Sequence, residues 1–541
     1  MKVHLMFPST DFDPALDLPP YTDDLMQDLQ LGPVLNAMAA GDAFILEMSK
    51  AALIAGCPTA ELVTYRHQVL ADCASNREIA TELYQMATGV LEDRKRIHRA
   101  TIFLSTESSL HQSVSVLEVC LPYFRRLRDI ADTAGPTFKS PAFRAFFAVL
   151  RNELDYTYLA AIERELDALR FRGGLLLSAG LGEGNTGVDF VLRTPDEAKK
   201  TFFRRIPLRK PTRSVTIPDR DEASFNALGA LRDDALADAA EAAVASVNHV
   251  IDFFVVLRQE LGFYLGCLNL GDALTQLGQQ TCVPDVEPTG SPRHNAKGLY
   301  DAGLALDSTT RAVPSDFDNQ HDAITIITGA NRGGKSTFLR GVGIAALLAR
   351  CGAYAPAVAY QVPLYRTVLT HFRREEDEEL ASGKFDEELT RMATVADQLH
   401  PGSLFLSNES FSSTNEREGS QIAKDVLLGL ADSGVEVIMV THMFELAELL
   451  RNSSTKVAFL RAERRDDGER SFRILPGAPE ATSHAMDLYE RIFDHTDHTD
   501  RAATPPAAAE GTPTRPADQH GDQPGDQPGD QPSEQAGAAT R

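Results

Sequence analysis

Tryptophan is absent from this sequence, cysteine is scarce at six residues with no C-x-x-C pair, and basic residues are outnumbered, 53 Lys and Arg against 77 Asp and Glu. The missing tryptophan excludes no function. The scattered cysteines (Cys57, Cys73, Cys120, Cys267, Cys282, Cys351) argue against zinc ligation and read as reduced, mostly buried thiols of a cytoplasmic protein. A net charge of −24 excludes a protein that coats nucleic acid over its whole surface, while leaving room for a local basic site. Long apolar runs are also wanting. None approaches a membrane span, and the opening MKVHLMFPSTDFDP has neither the basic flank nor the apolar stretch of an export signal.

What is present divides the 541 residues into more than one core. Residues 1–30, rich in Pro and Asp, read as an irregular segment. Residues 31–285 read as mainly helical, with apolar positions three and four apart, as in IATELYQMATGVLEDRKRIHRATIFL. A Gly/Asn-rich turn between two β-like runs predicts a hairpin near 173–194. Residues 286–496 alternate short apolar strands with helices, the pattern of a largely parallel sheet covered by helices. A late hairpin is expected to turn at Asp467-Gly468. Residues 497–541, ending in three GDQP units, lack the apolar content for a core and read as a disordered tail.

The strongest chemical signal is GANRGGKS, Gly329–Ser336, with Thr337 following. It matches G-x-x-x-x-G-K-[ST], straight after the strand ITIIT and straight before a helix. Such a loop wraps the phosphates of a nucleotide with backbone N–H groups and adds the positive end of the helix. Lys335 would reach the β- and γ-phosphates, and Ser336 would bind Mg²⁺. A second strand, SLFLSNE, ends in Asn408 and Glu409 where a metal ligand and a general base are expected. Basic residues cluster without acids at 199–213, where Lys199, Lys200, Arg204, Arg205, Arg209 and Lys210 offer a phosphate-contacting surface. Smaller basic groups lie at Arg94, Lys95, Arg96 and Arg99, and at Arg125, Arg126 and Arg128.

The ordered set ITGANRGGKSTFLRGVGIAALLARCGAYAPA, ELASGKFDEELTRMATVADQL, VTHMFELAEL and LPGAPEATSHAMDL resembles the ATPase domain of the MutS family over roughly residues 290–495. The helical region before it resembles that family's core and lever helices in character and position. The resemblance implies a multidomain protein, a mainly α-helical core/lever region followed by an α/β P-loop NTPase domain of the ABC-ATPase type. It implies ATP and Mg²⁺ as cofactors and a homodimer in which each subunit completes the other's nucleotide site. Carried onto this sequence, Gly329, Ala330, Asn331, Arg332, Gly333, Gly334, Lys335, Ser336, Thr337 and Ser382 bind nucleotide, and Ser336 and Asn408 face the metal. Glu409 polarises the attacking water, His442 senses the γ-phosphate, and Lys335 completes the catalytic set.

Three segments depart from the family pattern: the strand-end Asp-Glu pair is Asn408-Glu409, the Gly-rich sequence after it is SFSSTN, and ASGRSTF is ASGKFDE. Residues 1–30 offer no Phe-x-Glu for reading a mismatch, so a short form without the recognition domain is expected. The leading reading is a MutS-like, ATP-dependent protein acting on DNA, with a repair protein as a further partner and no membrane. The alternative is an ATP-controlled protein-interaction switch. A transporter ATPase would carry an LSGGQ-type signature, absent here, and an SMC-like protein needs hundreds of coiled-coil residues where only about 70 separate Lys335 from Glu409.

Overall fold

The computed structural model describes residues 1–479 apart from 16–18, 100–104, 173, 186, 194–213, 215, 219, 308–310, 321–322, 375–383 and 465–469. The first half is helical: α1 (Thr22–Asp28), α2 (Gly32–Ala39), α3 (Ala43–Ala55), α4 (Ala60–Ser75), α5 (Arg77–Arg99), α6 (Thr106–Thr133), α7 (Pro141–Glu153), α8 (Tyr156–Ala168) and α9 (Glu222–Gln276). Six of these start where a short polar side chain accepts from the free N–H groups of the first turn: Asp42, Thr59, Ser105, Ser140, Asp155 and Asp221. Strands β1 (Leu177–Leu181) and β2 (Gly187–Leu192) form the expected antiparallel hairpin.

Helix α9 runs for 55 residues, about 82 Å at 1.5 Å per residue. It packs against α2, α3, α4, α5 and α6 and buries Phe254, Leu257, Leu261 and Tyr264. It is long and apolar enough to cross a membrane by length and composition alone, though no uninterrupted apolar run in it reaches that length. Glu241 and Asp252 break its apolar run.

Residues 1–12 contain no helix or strand, as expected, yet Leu5 and Met6 are fully buried. The backbone N–H groups of Leu5, Met6 and Phe12 donate to the Glu260 carboxylate at 2.6, 3.3 and 3.2 Å. Tyr264 donates to the Leu5 carbonyl at 2.7 Å and Arg66 Nε to that of Met6 at 3.2 Å. Burial pushes the Glu260 carboxyl up to about 7, opposed by the three N–H donors. Further along the same stretch, residues 22–28 are helical rather than irregular.

The second half carries two mixed sheets. Strands β3 (Asp285–Glu287), β4 (Arg293–Leu299), β5 (Ser315–Gln320) and β7 (Ala359–Pro363) form one, in the order β3-β7-β4-β5. Strands β6 (Ile324–Thr328), β8 (Val368–Phe372), β9 (Leu404–Asn408), β10 (Glu436–Val440), β11 (Val457–Arg464) and β12 (Arg470–Pro476) form the other, ordered β12-β11-β6-β10-β9-β8. Within it β11, β6, β10, β9 and β8 run parallel, and β12 pairs antiparallel at the edge. Strands β6 and β8 are buried at every position, which is why they read as near-continuous apolar runs.

Helices α10 (Ala302–Asp307), α11 (Lys335–Cys351), α12 (Lys384–Gln398), α13 (Glu416–Asp432) and α14 (Phe444–Arg451) accompany the sheets. The last turn of α11 is tied to the helical region. Arg350 donates to the carbonyls of Ile54 and Ala55 at 3.0 and 2.8 Å, and Arg66 donates to that of Cys351 at 3.0 Å.

Candidate functional site

The parallel register decides which residues meet. Val440 of β10 stands opposite both Asn408 of β9 and Ile327 of β6, so the three strands end level. The residues that follow, Gly329, Glu409 and His442, therefore emerge along one edge, the carboxyl end of the sheet, where open α/β sheets place their ligands.

After β6 the chain turns through Gly329 (φ +112°) and Gly334 (φ +92°) into α11. A Cβ at Gly334 would lie 3.1 Å from the Phe472 carbonyl oxygen, so both backbone angle and space call for glycine there. Lys335 is buried and donates to the carbonyls of Gly329 and Ala330 at 2.8 and 3.1 Å, bracing the loop from within. Burial lowers its ammonium pKa, and the charge of Glu409 partly offsets this. Ser336 donates to Asn408 Oδ1 at 3.0 Å, so the loop hydroxyl and the strand-end amide converge as the sequence expects. These are two neutral oxygens able to serve a hard divalent cation, a fit without the carboxylate that strengthens such binding.

Glu409 has φ +56° and Phe411 φ +63°, both in the left-handed region. The turn is held from several sides. Glu409 N–H donates to the Val440 carbonyl at 2.8 Å, and Ser412 donates to the Glu409 carbonyl at 2.6 Å. Behind it lies a buried polar knot. His371 Nε2 faces the Glu388 carbonyl at 3.2 Å and so carries the proton; the Ser410 hydroxyl donates to the His371 carbonyl at 2.8 Å and stands 2.7 Å from Nδ1, while Ser407 donates to Ser410 at 2.7 Å. Burial, helped by Arg391, lowers the His371 pKa to about 4 and keeps the ring neutral. The segment SFSST thus anchors the turn by hydroxyls.

His442 Nδ1 stands 3.8 Å from Glu409 Oε1. The imidazole facing it holds the Glu409 carboxyl below its ordinary range, and the carboxylate in turn raises His442. A cavity of about 630 Å³ opens beside Glu409, lined by it and by Asn331–Phe338. It also takes in Asp301, Arg311, Val313 and Phe472, which the sequence reading missed. The only local signal for Phe472 was the late hairpin. Asp301 is fixed by Arg340 of α11 at 3.0 Å. Ser382 and the basic residues Lys199, Lys200, Arg204, Arg205, Arg209 and Lys210 lie outside the described residues.

Comparison with known proteins agrees with this division of the chain. The family model of the MutS2 N-terminal domain matches residues 58–277, and that of MutS domain V matches residues 325–479. The DNA mismatch repair protein MutS of Thermus aquaticus is 32% identical over 191 residues, covering 34% of this chain and 22% of that protein. The protein of the same name from Natronomonas pharaonis is 30% identical over 241 residues, 41% of this chain and 28% of its own length. DNA mismatch repair protein MutS 2 of Haloarcula marismortui is 30% identical over 190 residues, 32% and 20% respectively. The matches thus span between a fifth and just over a quarter of these relatives.

Proposed function

The chain belongs to the MutS family, and from that premise we propose that it binds and hydrolyses ATP to change conformation while acting on DNA, in mismatch repair or recombination. It works in the cytoplasm as a homodimer whose ABC-type nucleotide sites are completed across the interface, with Ser382 reaching the partner's nucleotide and a repair protein as a further partner. The observation that carries this reading is the near-level ending of β6, β9 and β10: Lys335, Ser336 and Glu409 line one cavity, Asn408 is bonded to Ser336, and His442 stands 3.8 Å from Glu409.

In this reading the loop from Gly329 to Thr337 wraps the phosphates, and Lys335 gives up its two loop carbonyls to donate to the β- and γ-phosphates. Ser336 and Asn408 would hold Mg²⁺, which supplies neutralisation of charge on the phosphate oxygens. Glu409, kept ionised by His442, accepts the proton of the attacking water. His442, held on the same carboxylate, donates toward the γ-phosphate and couples its presence to the position of the base. Arg311 and Phe472 line the same cavity and would contact the nucleotide beyond the loop's own grip on the phosphates.

ATP turnover of Lys335→Ala and Glu409→Ala, with and without DNA, tests the assignment. Lys335→Ala should weaken nucleotide binding by about 10–100-fold, the worth of a charged hydrogen bond. Glu409→Ala should keep binding and lose turnover. Turnover that survives both changes removes the site. The net charge of −24 favours a second reading, a nucleotide-driven switch that acts on another protein. Failure to bind duplex or branched DNA at low salt, with or without ATP, would decide for that switch.

A further inference from the structure

The basic run near the end of α5 has no part in the nucleotide site, and its members part company in the fold. Arg96 turns to Asp93 at 3.3 Å and Glu92 at 4.0 Å. Leu91, Arg94, Lys95 and His98, spaced three and four apart, share one face of α5. With Val255 and Arg258 of α9 they line a cavity of about 420 Å³. Three of its six lining residues are cations, a fourth is a histidine, and none is acidic. That is unusual in a chain with 77 acidic residues against 53 basic ones.

The usual fate of a buried or half-buried cation is a carboxylate partner. Arg94, half-buried, has none among the described residues, nor has the exposed Lys95 beside it. Arg258 lies flat over the Phe44 ring at 3.7 Å, and its Nε is a buried donor without an acceptor. The acid whose charge reaches Arg258 is Asp42, which offsets that charge in part without a direct ion pair. It accepts from Phe44 and Ile45 N–H at 2.8 and 3.3 Å and from the Tyr84 hydroxyl at 2.7 Å. Like charges held together on two packed helices repel one another unless an anion enters between them. A planar guanidinium fork beside a compact ammonium suits phosphate oxygens. The volume is larger than one phosphate needs, and none of the lining residues borders the nucleotide cavity.

We propose that this cavity between α5 and α9 is a second phosphate-binding site, built to take a run of phosphates, from a free polyphosphate or from a nucleic-acid backbone. The test uses the full chain in a Lys335→Ala background, which removes the ammonium grip of the nucleotide loop. Arg94→Gln/Lys95→Gln is compared with its parent for tripolyphosphate binding by calorimetry and for 30-base-pair duplex binding by anisotropy across salt. At least tenfold weaker tripolyphosphate binding with duplex binding unchanged supports the site with a free polyphosphate as ligand. Weaker duplex binding, with the log–log salt slope reduced by about 1.8 for two lost contacts, supports it with the nucleic-acid backbone as ligand. Unchanged affinity for both probes, in a variant whose circular dichroism and melting match the parent, overturns it. Should the double variant fail to fold, Lys95→Gln, at an exposed position, is read on the same two probes. A loss of about threefold on either is expected, and no loss on both overturns the proposal.

Discussion

Asn408 and Glu409 are neighbours with opposite electrostatic tasks. Asn408 presents a carbonyl oxygen to the Ser336 hydroxyl and brings no charge to the metal side. Asn408→Asp should therefore lower the Mg²⁺ concentration for half-maximal turnover, measured by metal titration of ATPase activity; an unchanged or higher requirement refutes the weakened-metal reading. Ser410 is the residue through which the turn behind Glu409 is fixed. Ser410→Ala removes the hydroxyl that serves the buried His371 carbonyl and Nδ1, at a cost of about 1–3 kcal/mol. Turnover should fall by about tenfold or more as the base loses its placement, with ATP affinity little changed. Steady-state kinetics beside nucleotide titration separates the two effects. Glu409 and His442 were legible in the sequence because they stand just after short apolar strands, and Lys335 and Ser336 because they close the Gly-rich loop that follows one. Arg311 and Phe472 were not, because they reach the cavity only through tertiary packing. The hydroxyl knot was equally hidden: SFSST read as a departure from Gly-rich family sequence, and nothing local pairs Ser410 with His371, 39 positions away.

At the scale of elements, helix α9 and the N-terminal segment depend on one another. Glu260 caps the backbone of residues 5–12 across about 250 positions of sequence, a satisfaction that no local pattern reveals, so the segment looked merely irregular. Helix periodicity and the strand–helix alternation were readable because burial repeats within each element. The carboxyl has a folded pKa of about 7, raised from 4.5. The folded state thus holds the extra proton, and stability falls as pH rises from 4.5 through 7, by an amount of order 3 kcal/mol. Glu260→Gln keeps one acceptor and removes the titration, so its melting temperature should be flatter than wild type across that range. Thermal melts at half-unit pH steps would show it, and parallel curves for the two proteins would sink the idea.

Over the whole molecule, acidic residues outnumber basic ones, 77 to 53. If residues 199–210 contact DNA phosphates, neutralising Lys199, Lys200, Arg204, Arg205, Arg209 and Lys210 together should reduce the log–log salt slope of duplex binding by up to about 5. A slope that does not move places the contact elsewhere. The seam of Arg350 and Arg66 with Ile54, Ala55 and Cys351 joins the helix after the phosphate loop to the helical region, whose longest member is α9. No residue of α9 ahead of Ala235 is buried, whereas its later part is packed into the helical core. Only the first 13 residues of α9, 222–234, about 20 Å at 1.5 Å per residue, reach beyond that packed part. Each degree of tilt of this overhang moves its tip by about 0.35 Å, so a ten-degree adjustment shifts it by about 3.5 Å, roughly two residues of helical rise.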